Sequence, residues 1–229
     1  MIEEPKSLRI GPDVGRRPSP AQVAAFQGVP TGFVVDAMSG AGAMAHQIAP
    51  LTSEMPAVAG PALTADNRPS DLLATLGALR SIQEGDVLIA SAQGWQGCAA
   101  AGDRVCGMAR NSGAAALVTD GPVRDLAGIV EVGLPVWCTG LNPGSPFATG
   151  PGQIGVRVVV GGQPVETGDM VVADSDGVVV VPFAQLDAVI ARLPEIARME
   201  GELDTEVRDG LRLPDPIAEI LDGERTEVL

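Results

Sequence analysis

Arg124 and Asp125 close the run Ala-Ala-Ala-Leu-Val-Thr-Asp-Gly-Pro-Val-Arg-Asp at residues 114–125. The aspartate is a hard oxygen ligand of the kind Mg²⁺ or Mn²⁺ takes, and the arginine is a planar fork matched to a carboxylate. Upstream, Gly102-Asp103-Arg104 falls near the start of a predicted helix, Ala99–Asn111. Free N–H groups and the helix dipole at such a terminus can hold a carboxylate or enolate oxygen. Gly102 would let the backbone come close to a ligand, and Asp103 is a second acid that can orient water or bind metal. Together these residues describe a site for an anionic substrate and a divalent metal. A solvated Arg-Asp pair and an exposed helical turn with a glycine kink would read the same way in isolation. The elements that position them must decide.

Those elements are partly legible. Ala114–Thr119 is a short apolar run of the buried-strand type, and Asp120-Gly121-Pro122 stops it. Pro122 suits the first turn of a following helix, where its missing N–H has no partner to lose. Arg124 and Asp125 are thereby expected just past the carboxyl end of a strand, where open α/β sheets bind ligands. Before this run, helices are predicted at Ala21–Phe26 and, capped by Thr31, on to Met38. A strand at Ala57–Thr64 passes through Gly60-Pro61 and is expected to be kinked or at a sheet edge. A helix at Leu72–Gln83 capped by Ser70 or Asp71, then strands at Asp86–Ala90 and Leu134–Cys138, continue the alternation of an α/β sheet.

After the Gly- and Pro-dense loop Asn142–Gly152 the chain changes character. Val156–Val160, a Gly161-Gly162 turn, Gln163–Val165, Met170–Ala173 and Val178–Val181 predict an antiparallel β cap. A helix from Phe183 to about Met199, interrupted near Pro194, and a short one around Pro216–Leu221 complete the pattern. The organisation is an N-terminal arm (1–19) carrying Pro5, Pro12 and Pro18, one domain (20–200), and an acidic C-terminal tail (201–229). Such an arm is expected to pack on a neighbouring subunit.

The 229 residues carry 15 basic and 29 acidic side chains, a net charge of −14. That balance argues against non-specific binding to nucleic acid or anionic membranes, and it makes each arginine more informative. Cys98, Cys106 and Cys138 lack zinc-ligand spacing and read as small buried fillers in a reducing compartment. Without a signal segment or a bilayer-length apolar run, the cytoplasm is the expected location.

Other constellations carry less. Gly40–Ala45 fits G-x-G-x-x-A loosely but follows no strand, and reads as a turn. His46, the only histidine, reads as structural. Asp174-Ser175-Asp176-Gly177 lacks the later ligands of a calcium loop and reads as a hairpin turn. The acids of Glu195–Glu206 read as a solvated face, from which one carboxylate can reach across a subunit interface. Lys6 is the single lysine, which removes a lysine-imine aldolase from consideration. No nucleophile elbow, Walker loop or zinc-ligand pair is present.

Gly102-Asp103 followed by Thr119-Asp120-Gly121-Pro122-Val123-Arg124-Asp125, with Gly102 22 positions before Arg124, resembles the RraA-like family. Gly60–Thr64, Glu84–Leu88, Leu134–Val136 and Gly168–Pro182 extend the likeness over roughly residues 30–200. The resemblance implies an α/β fold, a swivelling β/β/α domain with an antiparallel β cap and C-terminal helix, assembled as a homotrimer or a hexamer. It implies a class II pyruvate aldolase dependent on Mg²⁺ or Mn²⁺. Such an enzyme cleaves a small anionic 4-hydroxy-2-oxo di- or tricarboxylic acid and decarboxylates oxaloacetate as a side activity. By the same resemblance Arg124 would hold the substrate carboxylate, Asp125 the metal, and the amides of Arg104 and Val105, with Gly102 beside them in the substrate site, the pyruvyl end. Asp103 would position a metal-bound water for proton transfer, and Glu200 would be supplied from the adjacent subunit. Aldolase members usually carry an apolar pair where Arg104-Val105 stands here, so a second cation facing the site would favour a more acidic substrate. The same resemblance also admits a non-catalytic trimer that binds and inhibits a ribonuclease.

Overall fold

Short runs rich in valine, alanine and leucine become strands, and glycine-bearing stretches become breaks, in the computed structural model, which describes residues 6–227. The chain opens with β1 (Leu8–Ile10), α1 (Pro20–Phe26), α2 (Thr31–Ala37), β2 (Ala49–Pro50) and β3 (Val58–Asp66). Three β/α units follow: α3 (Leu73–Ala78), β4 (Val87–Ser91), α4 (Asp103–Asn111), β5 (Ala116–Thr119), α5 (Leu126–Val132) and β6 (Val136–Cys138). Then come β7 (Gly152–Ile154), β8 (Val158–Val160), β9 (Gln163–Val165), β10 (Met170–Ala173) and β11 (Val178–Val181), and finally α6 (Leu186–Arg208) and α7 (Asp215–Asp222).

Strands β3, β4, β5 and β6 run parallel in that order, with α3, α4 and α5 as the crossovers. β7 lies antiparallel beside β3, β1 lies parallel outside β7, and β2 closes the far edge against β6. β3 is the pivot. Ala62–Asp66 pair with β4, whereas Val58–Pro61 pair with β10, which pairs in turn with β11. Gly60-Pro61 therefore falls where β3 changes partners, on a strand inside the sheet order and not at its edge. Proline is tolerated there because the strand changes partners at that point.

Four layers result. Helices α3–α5 cover one face of the main sheet, where Leu63, Leu88 and Leu117 meet Val105 and Ile129. On the other face Ile89, Val118 and Trp137 meet Val158 and Val160 of the β8–β9 hairpin and Val178 and Val180 of β11. The alternate residues Val179 and Val181 turn outward with Met170 and Val172 onto Phe26, Val34, Leu186 and Val189 of α1, α2 and α6. A strand's two-residue period thus places four consecutive valines in two different cores. This is the α/β domain with antiparallel β cap and C-terminal helix that the sequence led one to expect.

Several local expectations are corrected. The arm is a folded element: it carries a strand of its own and makes contacts within its own chain. β1 satisfies the edge of β7, and the Arg17 guanidinium takes both oxygens of the buried Asp86 at 2.6 Å. Arg16 reaches Glu166 and the Thr167 carbonyl. Pro5 and the rest of residues 1–5, and the last two residues of the tail, lie outside the described residues. α6 runs unbroken through Pro194 into the acidic tail. The hydrogen bond that proline removes is offset by burial of Leu186, Val189 and Leu193 before it and by Arg198 pairing with Glu195 and Glu202 after it. Thr31 does not cap α2 by itself. The Asp174 carboxylate, from the β10–β11 turn, accepts from both its N–H and its hydroxyl at 2.9 Å.

Candidate active site

The site is assembled where β5 ends. Asp120 is buried, and its carboxylate accepts from the Ala92 N–H (2.6 Å) and the Gly94 N–H (2.9 Å), which ties the end of β5 to the turn after β4. Burial pushes its carboxyl above the usual range, against the pull of those amides. Contrary to the expectation from the sequence, Pro122 does not open a helix. Val123 instead bridges Ala101 on one side and Leu141 on the other. On the Leu141 side its N–H reaches the Gly140 carbonyl and its carbonyl receives the Asn142 N–H, both at 2.9 Å. On the Ala101 side the Pro122 carbonyl receives the Ala100 N–H (2.7 Å) and the Arg124 N–H reaches the Ala101 carbonyl (3.1 Å), so the extended segment is satisfied on both flanks. α5 begins only at Leu126, with Asp125 as its N-cap residue.

Asp125 adopts φ 63°, ψ 46°, the left-handed region. In it the Asp125 carbonyl accepts from the Ile129 N–H (2.9 Å), while its side chain makes no capping bond to the helix. The carboxylate lies instead beside Gly102, the N-cap residue of α4. A Cβ at Gly102 would stand 2.7 Å from Asp125 Oδ2 and 3.2 Å from Arg124 Cγ, so the absent side chain is what lets these groups approach the helix terminus. The fit is reciprocal. A Cβ on Gly128 of α5 would stand 2.7 Å from both Cβ and Oδ2 of Asp103.

Gly102, Asp103, Arg104, Val105, Arg124 and Asp125 line one cleft of about 310 Å³, closed by Leu72, Ala101 and Pro146. The first intrahelical bond of α4 runs from the Cys106 N–H to the Gly102 carbonyl (3.0 Å), so the amides of Asp103, Arg104 and Val105 precede it. The Arg104 amide is engaged locally by Asp103 Oδ1 at 2.6 Å. The Arg104 side chain is exposed and forms no ion pair among the described residues. The free cysteines are buried, as expected, and burial, with Asp103 and Cys138 adding, pushes the Cys106 thiol up to about 12. A thiol so held is unreactive at neutral pH. His46 is exposed and does not line this cleft.

Glu200 is not brought to the cleft. It sits on α6, in the helical layer on the far side of the stacked sheets from α4 and α5. Any contribution from it would have to come from another subunit.

Ser145 escaped the sequence reading, and Asp71, read there only as a candidate helix cap, has a second role. Ser145 Oγ accepts from Arg124 Nη1 at 2.7 Å, which with Asp125 Oδ2, 3.4 Å from Nε, steadies the guanidinium. Asp71 pins the loop that carries Ser145. Its Oδ1 accepts from the Leu73 N–H and its Oδ2 from the N–H and hydroxyl of Thr149 and the N–H of Gly150. Burial alone would raise this carboxyl, but the hydrogen bonds outweigh it and hold it below the usual range. A depressed carboxyl contributes stability above its unfolded pKa and loses it as pH falls through the folded value. Asp71→Asn should therefore cost about 1–3 kcal/mol at pH 7 and shrink the difference from wild type below pH 4. Denaturant melts at the two pH values check this, and equal stability at pH 7 would remove the anchoring role.

Among the described residues no three His, Cys, Asp or Glu side chains gather as a ready metal cluster. Two carboxylates, Asp103 and Asp125, do line the cleft. That donor set suits a hard cation such as Mg²⁺, which keeps several waters and takes one or two carboxylates.

The cleft of this stacked-sheet α/β fold thus joins a helix N-terminus, an arginine and two aspartates. Residues 31–180 match the RraA-like family, described as Aldolase/RraA, and the chain belongs to it. It is 36% identical over 170 residues to a protein of Halalkalibacterium halodurans named "Putative 4-hydroxy-4-methyl-2-oxoglutarate aldolase", covering 74% of this chain and 80% of that one. Among solved structures, Streptomyces coelicolor RraAS2, described as an unusual member of the RNase ES inhibitor RraA protein family, superposes with a TM-score of 0.68 at 27% identity. That match covers 83% of this chain and 100% of the other. The RNA-processing inhibitor RraA from Thermus thermophilis matches at TM-score 0.61 and 24% identity, over 67% and 92% of the two chains, a likeness of fold.

Proposed function

We propose that this protein is a class II pyruvate aldolase that cleaves a 4-hydroxy-2-oxo di- or tricarboxylic acid and also decarboxylates oxaloacetate. The observation that carries this reading is the gathering of Arg124, Asp125 and Asp103 around the α4 N-terminus. The relative named for an aldolase supports it. Arg124 binds a substrate carboxylate through its fork, and the first-turn amides of α4, the Arg104 N–H once Asp103 Oδ1 releases it, hold the pyruvyl end. Mg²⁺ or Mn²⁺ bound at Asp125 would supply the Lewis acidity that polarises the 2-oxo group and stabilises an enolate. Asp103 orients the water that takes the C4 hydroxyl proton. The C3–C4 bond then breaks, the electron pair remains on the pyruvate fragment as its enolate, and a proton returned to C3 releases pyruvate beside a second 2-oxo acid. Oxaloacetate loses CO₂ to leave the same enolate.

The test is pyruvate release from oxaloacetate by chelator-treated protein, with and without added Mg²⁺ or Mn²⁺, against a metal-only blank. Release should require both protein and metal. Release by neither combination above the blank would overturn the reading.

In the active form we place the protein as a homotrimer or hexamer with Glu200 entering the cleft of the adjacent subunit. Glu200→Ala should then lower turnover about tenfold or more without changing the oligomer mass by light scattering. Unaltered turnover would leave α6 a packing element only. The RraA relatives favour a second reading, a non-catalytic regulator of a ribonuclease. Saturable inhibition of ribonuclease E by a protein inert toward oxaloacetate would select it.

A further inference from the structure

A second cleft, of about 270 Å³, opens beside β1 and the end of β3 and shares no lining residue with the Arg124 cleft. Lys6, Arg9 and Arg68 line it against one carboxylate, Asp66. In a chain of net charge −14 such a grouping requires an explanation. None of the three cations forms an ion pair with a described residue. Strand register sets the floor of the cleft. Arg9 lies opposite Gln153 across β1 and β7, and Gln153 lies opposite Asp66 across β7 and β3, so the three side chains share one face of the sheet. The Asp66 oxygens are taken by neutral amides, Gln93 Nε2 at 3.2 Å and Gln153 Nε2 at 3.5 Å, and not by the cations. The positive groups are left facing solvent.

We propose that this cleft is a binding site for a compact organic polycarboxylate, separate from the Arg124 cleft. Each guanidinium is a fork for one carboxylate, and the lysine adds a point charge. Cations placed on separate segments suit a ligand whose charges are also separated, whereas a single phosphate concentrates its charge on one centre. A volume equal to roughly nine waters at ~30 Å³ each admits a molecule of about a dozen non-hydrogen atoms. Because the cations are exposed, binding is salt-sensitive.

The experiment is calorimetric titration of the full-length protein with tricarballylate at low ionic strength, carried out in the Arg124→Ala background so that the first cleft does not contribute. Saturable binding with one site per chain is expected. It should weaken at least tenfold when Arg9→Gln and Arg68→Gln are added, and should fall steeply between 20 and 200 mM salt on the order expected from screening. If the double change disturbs folding, Arg68→Gln alone, outside any strand, should weaken binding about threefold or more. No saturable heat, or binding indifferent to Arg68, would overturn the proposal. Inorganic phosphate binding as tightly as tricarballylate would overturn the polycarboxylate assignment. Neither result would touch the aldolase reading, which rests on the other cleft.

Discussion

Replacing Arg124 with alanine should lower kcat/KM for oxaloacetate decarboxylation by about 10²–10³-fold while leaving the fold intact. A buried or half-buried charge-assisted pair to a substrate carboxylate is worth about 2–5 kcal/mol when one partner is removed, and 1.36 kcal/mol is tenfold in rate. The side chain contributes little to stability. Its contact with Asp125 is 3.4 Å long and both partners are well exposed, at 37% and 45%, which places the pair among those worth a few tenths of a kcal/mol. Arg124→Lys keeps the charge but loses the fork that Ser145 steadies, so it should recover only part of the lost rate. Steady-state kinetics with a parallel thermal melt check both statements. An unchanged kcat/KM in Arg124→Ala would end the carboxylate-binding role.

The second large effect concerns Asp125, where stability and activity should move in opposite directions. A non-glycine residue in the left-handed region costs about 1 kcal/mol, somewhat less for aspartate. Asp125→Gly relieves that cost and removes only a weak ion pair and no capping bond, so the melting temperature should hold or rise slightly. Loss of the carboxylate beside Gly102 should nonetheless reduce turnover about 10²-fold or more and raise the Mg²⁺ concentration needed for half-maximal rate. A variant that melts higher and keeps full activity would show that the strain serves packing and not the site.

Both predictions turn on residues that stand out in the sequence by type and spacing, yet the reason they meet lies elsewhere. Strand runs such as Ala114–Thr119 and Val178–Val181 are visible because the two-residue period and the turn signals are local, and the α/β order follows from their alternation with helical segments. The extended path of Val123 was not visible. Pro122 reads equally well as the start of a helix until Ala101 and Leu141 supply partners on both flanks. The docked arm was hidden for the same reason, since Arg17 meets Asp86 69 positions away. Nothing in a run of polar and proline residues announces such a contact.

By itself, then, the sequence determined the type of fold, the acidic character that makes each arginine informative, and the candidate groups Gly102, Asp103, Arg124 and Asp125. Tertiary structure alone decided that β3 is the pivot of two sheet segments, that Ser145 and Asp71 hold the arginine's surroundings, and that Glu200 lies on the opposite layer. It also decided that Arg9, Gln153 and Asp66 form one row across three strands. Local propensity and spacing are properties of neighbouring residues. Which distant carbonyl, carboxylate or glycine fills the space beside a group depends on the simultaneous closure of many long loops, and no short stretch of chain encodes it.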